Sequence, residues 1–417
     1  MIADPPQPGL APPVWRTRAW GIVGALSITE TVSWGILYYA FAVFLVPMQR
    51  DLGYSAAQLT GAFSLALAAS ALAGVAVGRH LDRHSPRALM TIGSVVGVAL
   101  VVGWSQVEGL AAFYALWLAI GVVMAAVLYE PAFTVVAKHF PEPGERRRAM
   151  TAMTLVAALA SFIFLPLSQL LIDTYGWRDA LVILAVVLAA VTIPLHGLVL
   201  RPGPRQLEHA AASTAAGDVF RSLPFWLLSG AFVLASLATI AMTVFSIPFL
   251  LERGHSAGFA AFAVGLIGVS QIPGRVLFGP LHARLSRAGA TASVFALIAL
   301  GIAVVVTVHS TVAVLVGLVL LGMGNGMATL ARATAIADLY GSTAYGTIAG
   351  VAGGLTTAAR AAGPFAAAVY AAAVGFTALL WTLAGLALAA ALLAYRVERS
   401  TSTGTATSFA SAGPRPG

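Results

Sequence analysis

Residues 78–87 read GRHLDRHSPR, a short charged segment between two long apolar runs that cover residues 56–78 and 88–105. Each run has about the 20 residues that an α-helix needs to cross the hydrocarbon core of a bilayer. A charged turn between two such runs is typical of the membrane surface. The pattern therefore predicts two membrane-spanning helices joined by a tight charged loop.

The rest of the chain repeats this apolar pattern. Of its 417 residues, 59% are apolar and 9% are charged, against about 25% charged in soluble globular proteins. That composition excludes a water-soluble enzyme, because so few charges cannot cover a surface of this size. Twelve runs are long enough to span a membrane, and they lie near residues 20–46, 56–78, 88–105, 110–136, 149–172, 177–200, 224–250, 257–282, 290–308, 311–336, 345–373 and 376–396.

The charge distribution predicts how the chain is oriented. The formal net charge is +8, but the basic residues lie in clusters between the apolar runs, so we expect no nucleic-acid binding. With the N-terminus in the cytoplasm, seventeen of the 23 basic residues lie in cytoplasmic segments and three lie outside. Positive-inside asymmetry of this size predicts that both termini are cytoplasmic. We expect a multi-pass protein of a bacterial inner membrane.

An internal repeat divides the chain. A shift of 201 positions superposes Pro47 on Pro248, Gly53 on Gly254, Ser55 on Ser256, Ala56 on Ala257, Gly78 on Gly279 and Arg83 on Arg284. The repeat predicts two six-helix halves, at 18–200 and 223–397, joined by a cytoplasmic linker at 201–222. Repeated halves around a central site are typical of secondary transporters. The polar ends, 1–17 and 398–417, are expected to be disordered.

The charged segment 78–87 also resembles the G-x-x-x-D-R-x-G-R-R signature of the major facilitator superfamily. The matching residues are Gly78, Asp82, Arg83 and Arg87, and the departures are Ser85 and Pro86. The resemblance implies an all-α membrane protein with 12 transmembrane helices in two pseudo-symmetric six-helix bundles. It further implies transport by rocking of the two bundles, with the four matching residues in the gate.

Within that superfamily, several stretches are similar to the monocarboxylate-transporter-like branch. They are SWGILYYAFAVFLVP at 33–47, YEPAFTVVAKHF at 129–140, YGWR at 175–178 and an arginine four residues before Gly279. The resemblance implies that Arg275 binds the carboxylate of the substrate. Tyr39 and Gln271 stand where animal members have a lysine and an aspartate, so the proton-coupling scheme of the branch cannot be copied.

One acid lies near the middle of the first span. A charge at mid-bilayer costs about 2.5–3.5 kcal/mol on insertion scales, so each intramembrane ionisable residue is a functional hypothesis. Glu30 shares one helical face with Trp34 and Tyr38, which follow at i+4 and i+8. We expect this face to line the cavity. Glu30 is either a proton carrier or a hydrogen-bonded acid that ties helices together.

Two arginines lie within spans of the second half. A guanidinium meets a carboxylate with two parallel hydrogen bonds, so Arg275, with Gln271 one turn earlier, is a candidate substrate ligand. The alternative is an ion pair with a fixed acid. Arg360 is either a second anion ligand or the partner of Glu30. Two central arginines against one central acid predict a positive cavity and an anionic solute.

A second acid and a third arginine occupy corresponding places near the inner ends of spans 4 and 10. They are Glu130 and Arg332, and their depth predicts gating rather than direct contact with the substrate. We expect Glu130 to pair with Arg83 or Arg87. Asp338 is expected in the same surface network.

Weaker patterns leave alternatives open. Asn325 is either a ligand of the solute or an interhelical hydrogen-bond donor. The GxxxG pairs are Gly74/Gly78, Gly93/Gly97, Gly322/Gly326 and Gly350/Gly354; they predict close packing within one chain rather than a dimer. His80 and His84 lack a third ligand, and no Cys is present. We therefore predict no metal, no cofactor and a monomer.

The sequence as a whole predicts a secondary active transporter rather than an enzyme, since H-E-x-x-H, G-x-S-x-G and G-x-x-x-x-G-K-[ST] are all missing. The partners we expect are a small organic anion, a proton and the lipid bilayer. The predicted activity is proton-coupled symport of a monocarboxylate by rocking of the halves around a central site. The alternative is a proton-driven exporter of drugs or metabolites.

Overall fold

The computed structural model describes residues 14–200, 216–308, 310–342 and 344–410, and every regular element in these ranges is helical. The helices are α1 Val14–Trp34, α2 Ala40–Leu52, α3 Ala56–Arg83, α4 Pro86–Gln106, α5 Leu110–Val127, α6 Tyr129–His139, α7 Pro143–Ala157, α8 Leu159–Pro194, α9 Leu223–Glu252, α10 Ala257–Arg284, α11 Arg287–Thr307, α12 Thr311–Tyr340 and α13 Tyr345–Ala410, with π-helical segments at Gly35–Tyr39 and Leu195–Val199. The predicted all-α fold is confirmed.

Two long stretches each contain two membrane spans. Ten stretches of the described chain are long and apolar enough to cross a membrane. In α8 the backbone turns at Gly176 (φ 80°, ψ 164°), and in α13 it turns at Gly375 (φ 84°, ψ 164°). Both glycines adopt a positive φ that other residues avoid. Dividing α8 and α13 at these turns gives the twelve predicted spans.

The predicted tails and linker are only partly described. Residues 1–13, most of the linker (201–215) and residues 411–417 lie outside the described ranges. The helix α1 begins at Val14, and α13 continues through the first part of the predicted tail to Ala410. The tail has no proline before Pro414, so no residue in that part removes a helical hydrogen bond.

The internal repeat reflects a local structure that is built twice. Gly53 and Gly254 both have positive φ, 70° and 83°, at the end of a helix. Ser55 and Ser256 then cap α3 and α10, since their hydroxyls accept hydrogen bonds from the backbone N–H of Gln58 and Phe259, each at 3.2 Å. A serine cap satisfies an N–H that the first helical turn leaves open. The identities therefore mark equivalent helix boundaries in the two halves.

The two halves pack closely at the end of the molecule that carries the charged segment 78–87, here called the inner end. A methyl group on Gly78 would lie 2.0 Å from the carbonyl oxygen of Gly346, and one on Gly350 would lie 2.4 Å from that of Gly74. Only glycine allows the backbones of α3 and α13 to approach this closely. The GxxxG pairs of these helices thus pack within one chain, as predicted.

The main contacts between the halves involve three helices of each half. In the described part of the chain, the extensive contacts between the halves join α3 and α6 to α13, and α7 to α10 and α12. Among these contacts, Gly78 with Gly346, Glu130 with Arg332 and Arg146 with Asp338 lie at the inner end. The interface between the halves is therefore closed at the inner end.

Candidate functional site

The candidate site lies where the helices of the first half are irregular. Span 1 changes from α1 to a π-helix at Gly35–Tyr39 before α2 begins. Span 4 breaks at Leu128, whose backbone is extended (φ −94°, ψ −162°), so that α6 starts again at Tyr129. Isolated π-helical turns within helices are frequent at functional sites. The corresponding spans of the second half, α9 and α12, run for 30 residues each without interruption.

Glu30 is fully buried just before the π-helical segment. Its Oε2 accepts a hydrogen bond of 3.0 Å from Trp34 Nε1, one turn later on the same helix. Its Oε1 is buried and has no hydrogen-bond partner among the described residues. Because the partner is on its own helix, Glu30 does not tie two helices together. A buried carboxylate with one open oxygen is the arrangement expected of a group that takes up a proton.

An aromatic cluster surrounds Trp34. Its ring centroid lies 5.1 Å from Tyr38, 6.2 Å from Tyr39 and 5.0 Å from Tyr129. All four side chains are half-buried. Trp34 and Tyr38 share one face of span 1, as predicted, whereas Tyr129 comes from span 4 and reaches the cluster where α6 restarts after Leu128. We refer to Trp34, Tyr38, Tyr39 and Tyr129 as the aromatic wall.

Arg275 faces the aromatic wall from the second half. It is 5% exposed, and its Nη1 donates a 2.6 Å hydrogen bond to the backbone carbonyl of Thr154 in the first half. Its Nη2 lies 3.5 Å from Gln271 Oε1, and its Nε is buried without a partner. No carboxylate of the described residues forms an ion pair with Arg275, so the predicted alternative of a fixed acid is wrong for this conformation.

Arg360 lies in the same region and is exposed. A lipid-facing charge at mid-span would be costly, and Arg360 lies two turns after Gly353, on the face of α13 that packs against Glu130 of the first half. Arg360 therefore faces the interface between the halves. Within the described ranges it forms no ion pair with Glu30, so that predicted alternative is wrong here. Asn325 is half-buried on α12.

The predicted partner of Glu130 is wrong. Glu130 Oε1 lies 2.5 Å from Arg332 Nη2, an ion pair between α6 of the first half and α12 of the second. A methyl group on Gly353 would lie 2.7 Å from Glu130 Oε1, so α13 packs directly against this pair. Arg83 and Arg87 are exposed at the charged loop, farther toward the inner surface. The depth of Glu130 and Arg332 in their spans predicted a gating role for both residues, but it did not predict that they pair with each other.

Asp82 holds the first turn of α13. Its Oδ1 accepts from the N–H of Gly346 at 2.8 Å, and its Oδ2 accepts from the N–H and hydroxyl of Thr347 at 2.7 and 2.6 Å. The carboxylate thereby satisfies open N–H groups and the positive end of the helix dipole. Asp82 and Gly78 of the predicted gate both contact α13 of the other half.

A further network at the inner end is centred on Asp338. Asp338 forms an ion pair with Arg146 of α7, and His282 Nε2 lies 3.5 Å from Asp338 Oδ2. Arg287 Nη1 donates to the Asp338 carbonyl at 2.8 Å. The Asp338 surface network was expected, but its link to Arg146 joins the two halves. The RRR triplet at 146–148 was the only sequence pattern that could have indicated it.

Comparison with protein families places most of this architecture in one group. The model of the Major Facilitator Superfamily matches residues 26–364 of the chain. The matched region includes the aromatic wall, Arg275, Arg360 and all the gate residues described above.

Curated relatives include transporters of different cargo. An MFS-type efflux pump of Mycolicibacterium smegmatis is 30% identical over 64% of this chain. The oxalate:formate antiporter of Oxalobacter formigenes is 25% identical over 64%, and monocarboxylate transporter 13 of Rattus norvegicus is 25% identical over 62%. The matches span 63%, 62% and 60% of these relatives' own lengths, about three-fifths in each case.

Solved structures share the fold at lower identity. The fucose:proton symporter of E. coli has a TM-score of 0.73 and 17% identity, with 91% of this chain and 99% of that chain covered. The human organic anion transporter MFSD10 has a TM-score of 0.70 and 17% identity, with 92% and 100% covered. These likenesses bear on the architecture of the two bundles.

Proposed function

The chain belongs to the Major Facilitator Superfamily, and from this premise we propose that it is a secondary active transporter that carries a small organic anion together with a proton. The observation that carries the proposal is Arg275, a buried guanidinium bound to no carboxylate of the described residues and facing the first half. Such a group requires an anionic or strongly polar acceptor. The relatives named for monocarboxylates and for oxalate and formate favour a carboxylate.

Arg275 and Arg360 form the cationic side of the proposed site. Arg275 binds the carboxylate through its two Nη atoms, replacing the Thr154 carbonyl and Gln271. Arg360 adds positive charge from α13, and Gln271 and Asn325 offer side-chain amides. Because the cavity has two arginines and one central acid, it attracts anions by its field.

Glu30 is the proposed proton site. Its open Oε1 accepts the proton, while Trp34 holds the other oxygen. Binding the anion alone adds a negative charge to the cavity, and binding the proton alone neutralises Glu30. The carrier reorients only when both the anion and the proton are bound, or when neither is bound. This restriction couples the two fluxes as symport.

The proton site is also linked to the gate. Trp34, which donates to Glu30, lies 5.0 Å from the ring of Tyr129, and the next residue, Glu130, is paired with Arg332 across the halves. A change of charge at Glu30 therefore occurs close to the Glu130–Arg332 pair. In this proposal Gly78 and Asp82 close the inner end with Arg146–Asp338, and the inner end opens when these contacts separate.

The test is uptake of labelled lactate and oxalate into proteoliposomes, with and without an imposed pH gradient. We expect accumulation that requires an acidic outer side and that protein-free vesicles do not show. Accumulation that ignores the pH gradient would overturn the proton coupling, and no uptake of either acid would overturn anion transport.

A proton-driven exporter is the second candidate. The efflux-pump relative is 30% identical, and the aromatic wall suits an amphipathic solute. The two arginines oppose a cationic drug, so any exported solute would be an anion. Efflux of anionic and cationic dyes from cells that overproduce the protein separates this function from uptake.

The proposed setting is a bacterial inner membrane with both termini and the 201–222 linker in the cytoplasm, so the inner end faces the cytoplasm. We propose a monomer with an N-terminal bundle at 18–200 and a C-terminal bundle at 223–397. Because the contacts between the halves close the inner end, the proposed cavity opens away from the cytoplasm.

A further inference from the structure

The chemistry of the candidate cavity is divided between the two halves. The second half contributes the guanidinium groups of Arg275 and Arg360, and the first half contributes the aromatic wall. Arg275 reaches the first half at the Thr154 carbonyl, and the nearby Val156 carbonyl accepts a 3.2 Å hydrogen bond from Thr31, three residues before Trp34. Arg360 lies two turns after Gly353, on the face of α13 that packs against Glu130, the residue after Tyr129. The two sides of the cavity therefore face each other. A solute between them meets cations on one side and rings on the other.

A second aromatic layer supports the wall from behind. Tyr129 is stacked on Phe133, with ring centroids 5.4 Å apart, and Tyr38 lies 5.3 Å from Phe63. Phe63 in turn lies 5.6 Å from the buried Trp117. Side chains that are packed in this way change position little when a ligand arrives, which lowers the cost of binding.

We propose that the solute is an arene carboxylate, a flat aromatic ring that bears one carboxylate group. The inference rests on the proposed function, because it names the class of anion that the same site takes. The carboxylate lies against Arg275 with Arg360 nearby, and the ring lies against Tyr38, Tyr39 and Trp34. Acetate or oxalate would satisfy the arginines but would leave the apolar side of the cavity without contact.

The expected preference follows from ring contacts. Aromatic pairs contribute about 0.5–1.5 kcal/mol beyond the area that they bury, and about 1.4 kcal/mol corresponds to tenfold in affinity. Benzoate should therefore bind roughly tenfold more tightly than cyclohexanecarboxylate, which has the same carboxylate and a similar size but no flat π-system. Lactate, acetate and oxalate should bind more weakly still.

The test is calorimetric titration of the purified full-length protein with benzoate, cyclohexanecarboxylate, lactate, acetate and oxalate. Binding is measured rather than flux because neutral benzoic acid crosses bilayers unaided. The Tyr38→Leu variant removes one ring of the wall and should lower benzoate affinity roughly threefold to tenfold, with less than twofold change for lactate. Tyr175→Leu, at an exposed tyrosine of the outer end, should leave all affinities unchanged.

The outcomes separate this inference from the proposed function. If lactate or oxalate binds as tightly as benzoate, or if Tyr38→Leu weakens all acids equally, the arene preference is wrong while anion transport stands. Equal affinities for benzoate and cyclohexanecarboxylate would show an apolar rather than an aromatic site and would also overturn the inference. If no acid binds and no lactate enters proteoliposomes, the proposed function itself fails.

Discussion

The two halves of the molecule share a fold but divide the chemistry. The first half has irregular helices at mid-depth, an acid with an open oxygen and an aromatic cluster, whereas the second half has continuous helices and the two arginines. The same inequality appears in the repeated glycines. A methyl group on Gly78 would collide with Gly346, but one on the equivalent Gly279 would meet nothing within 4 Å. Pseudo-symmetry therefore governs the scaffold, and the side chains make the halves unequal.

The largest effect on transport should come from replacing the arginine of the second half that is proposed to bind the carboxylate. Arg275→Lys loses the second parallel hydrogen bond to a carboxylate, and a hydrogen bond to a charged group is worth about 1.5–3 kcal/mol, so uptake should fall roughly 10- to 100-fold. Initial rates of labelled-anion uptake into proteoliposomes measure this. Arg253→Lys is the matched control, because Arg253 binds backbone carbonyls at the outer end of the same half. Uptake within twofold of the parent would exclude Arg275 as the carboxylate ligand.

The acid of the first half should control coupling rather than binding. Glu30→Gln retains an acceptor for Trp34 Nε1 but cannot exchange a proton, so accumulation driven by a pH gradient should disappear while exchange of anion across the membrane continues. Uptake at several outside pH values, with counterflow at equal pH on both sides, measures the two activities separately. Glu108→Gln, at an exposed outer position, should behave like the parent. An unchanged pH dependence in Glu30→Gln would contradict its role.

The glycine contrast predicts a shift of conformation. Gly78→Ala places a methyl group 2.0 Å from the Gly346 carbonyl, and overpacking of this kind costs about 1–3 kcal/mol. The inner end should open and the outer end close, while Gly279→Ala should cause no shift. The chain has no cysteine, so distances between single spin labels placed at the outer end of each half measure the change. Identical distance distributions in the two variants would show that the α3–α13 contact does not set the conformation.

The smallest effect should come from the cap on α13. Asp82→Asn removes the charge at the N-terminus of the helix but keeps one acceptor oxygen, and such a charge is worth about 0.3–1 kcal/mol. Turnover should change roughly twofold to fivefold with little change in affinity. Measuring the maximal rate and the half-saturating concentration separates the two. Asp179→Asn serves as the exposed control, and a loss confined to affinity would argue against a gating role.

Much of the fold was predictable because its determinants are local. Run length, loop charge and the repeat located all twelve spans within a few residues, and the mid-span position of Glu30 followed from counting. The break at Leu128 and the π-helical segment Gly35–Tyr39 were not predicted, although Pro131 lies in the first turn of α6 and removes the hydrogen bond to the Val127 carbonyl, and Gly35 begins the π-helix. From the sequence, Tyr129 either lines the cavity or packs between helices, and the structure places its ring 5.0 Å from that of Trp34.

The sequence by itself determined the twelve apolar runs, the repeat that relates them and the position of each charged residue along its run. These are consequences of transfer free energy and helix rise, which depend on neighbouring residues only. The tertiary structure alone decided which groups meet: Glu130 with Arg332, Arg275 with the Thr154 carbonyl, and Asp82 with Thr347. Those partners are 202, 121 and 265 positions apart. Each pair joins a residue of the first half to one of the second, so the pairing depends on how the two halves pack together.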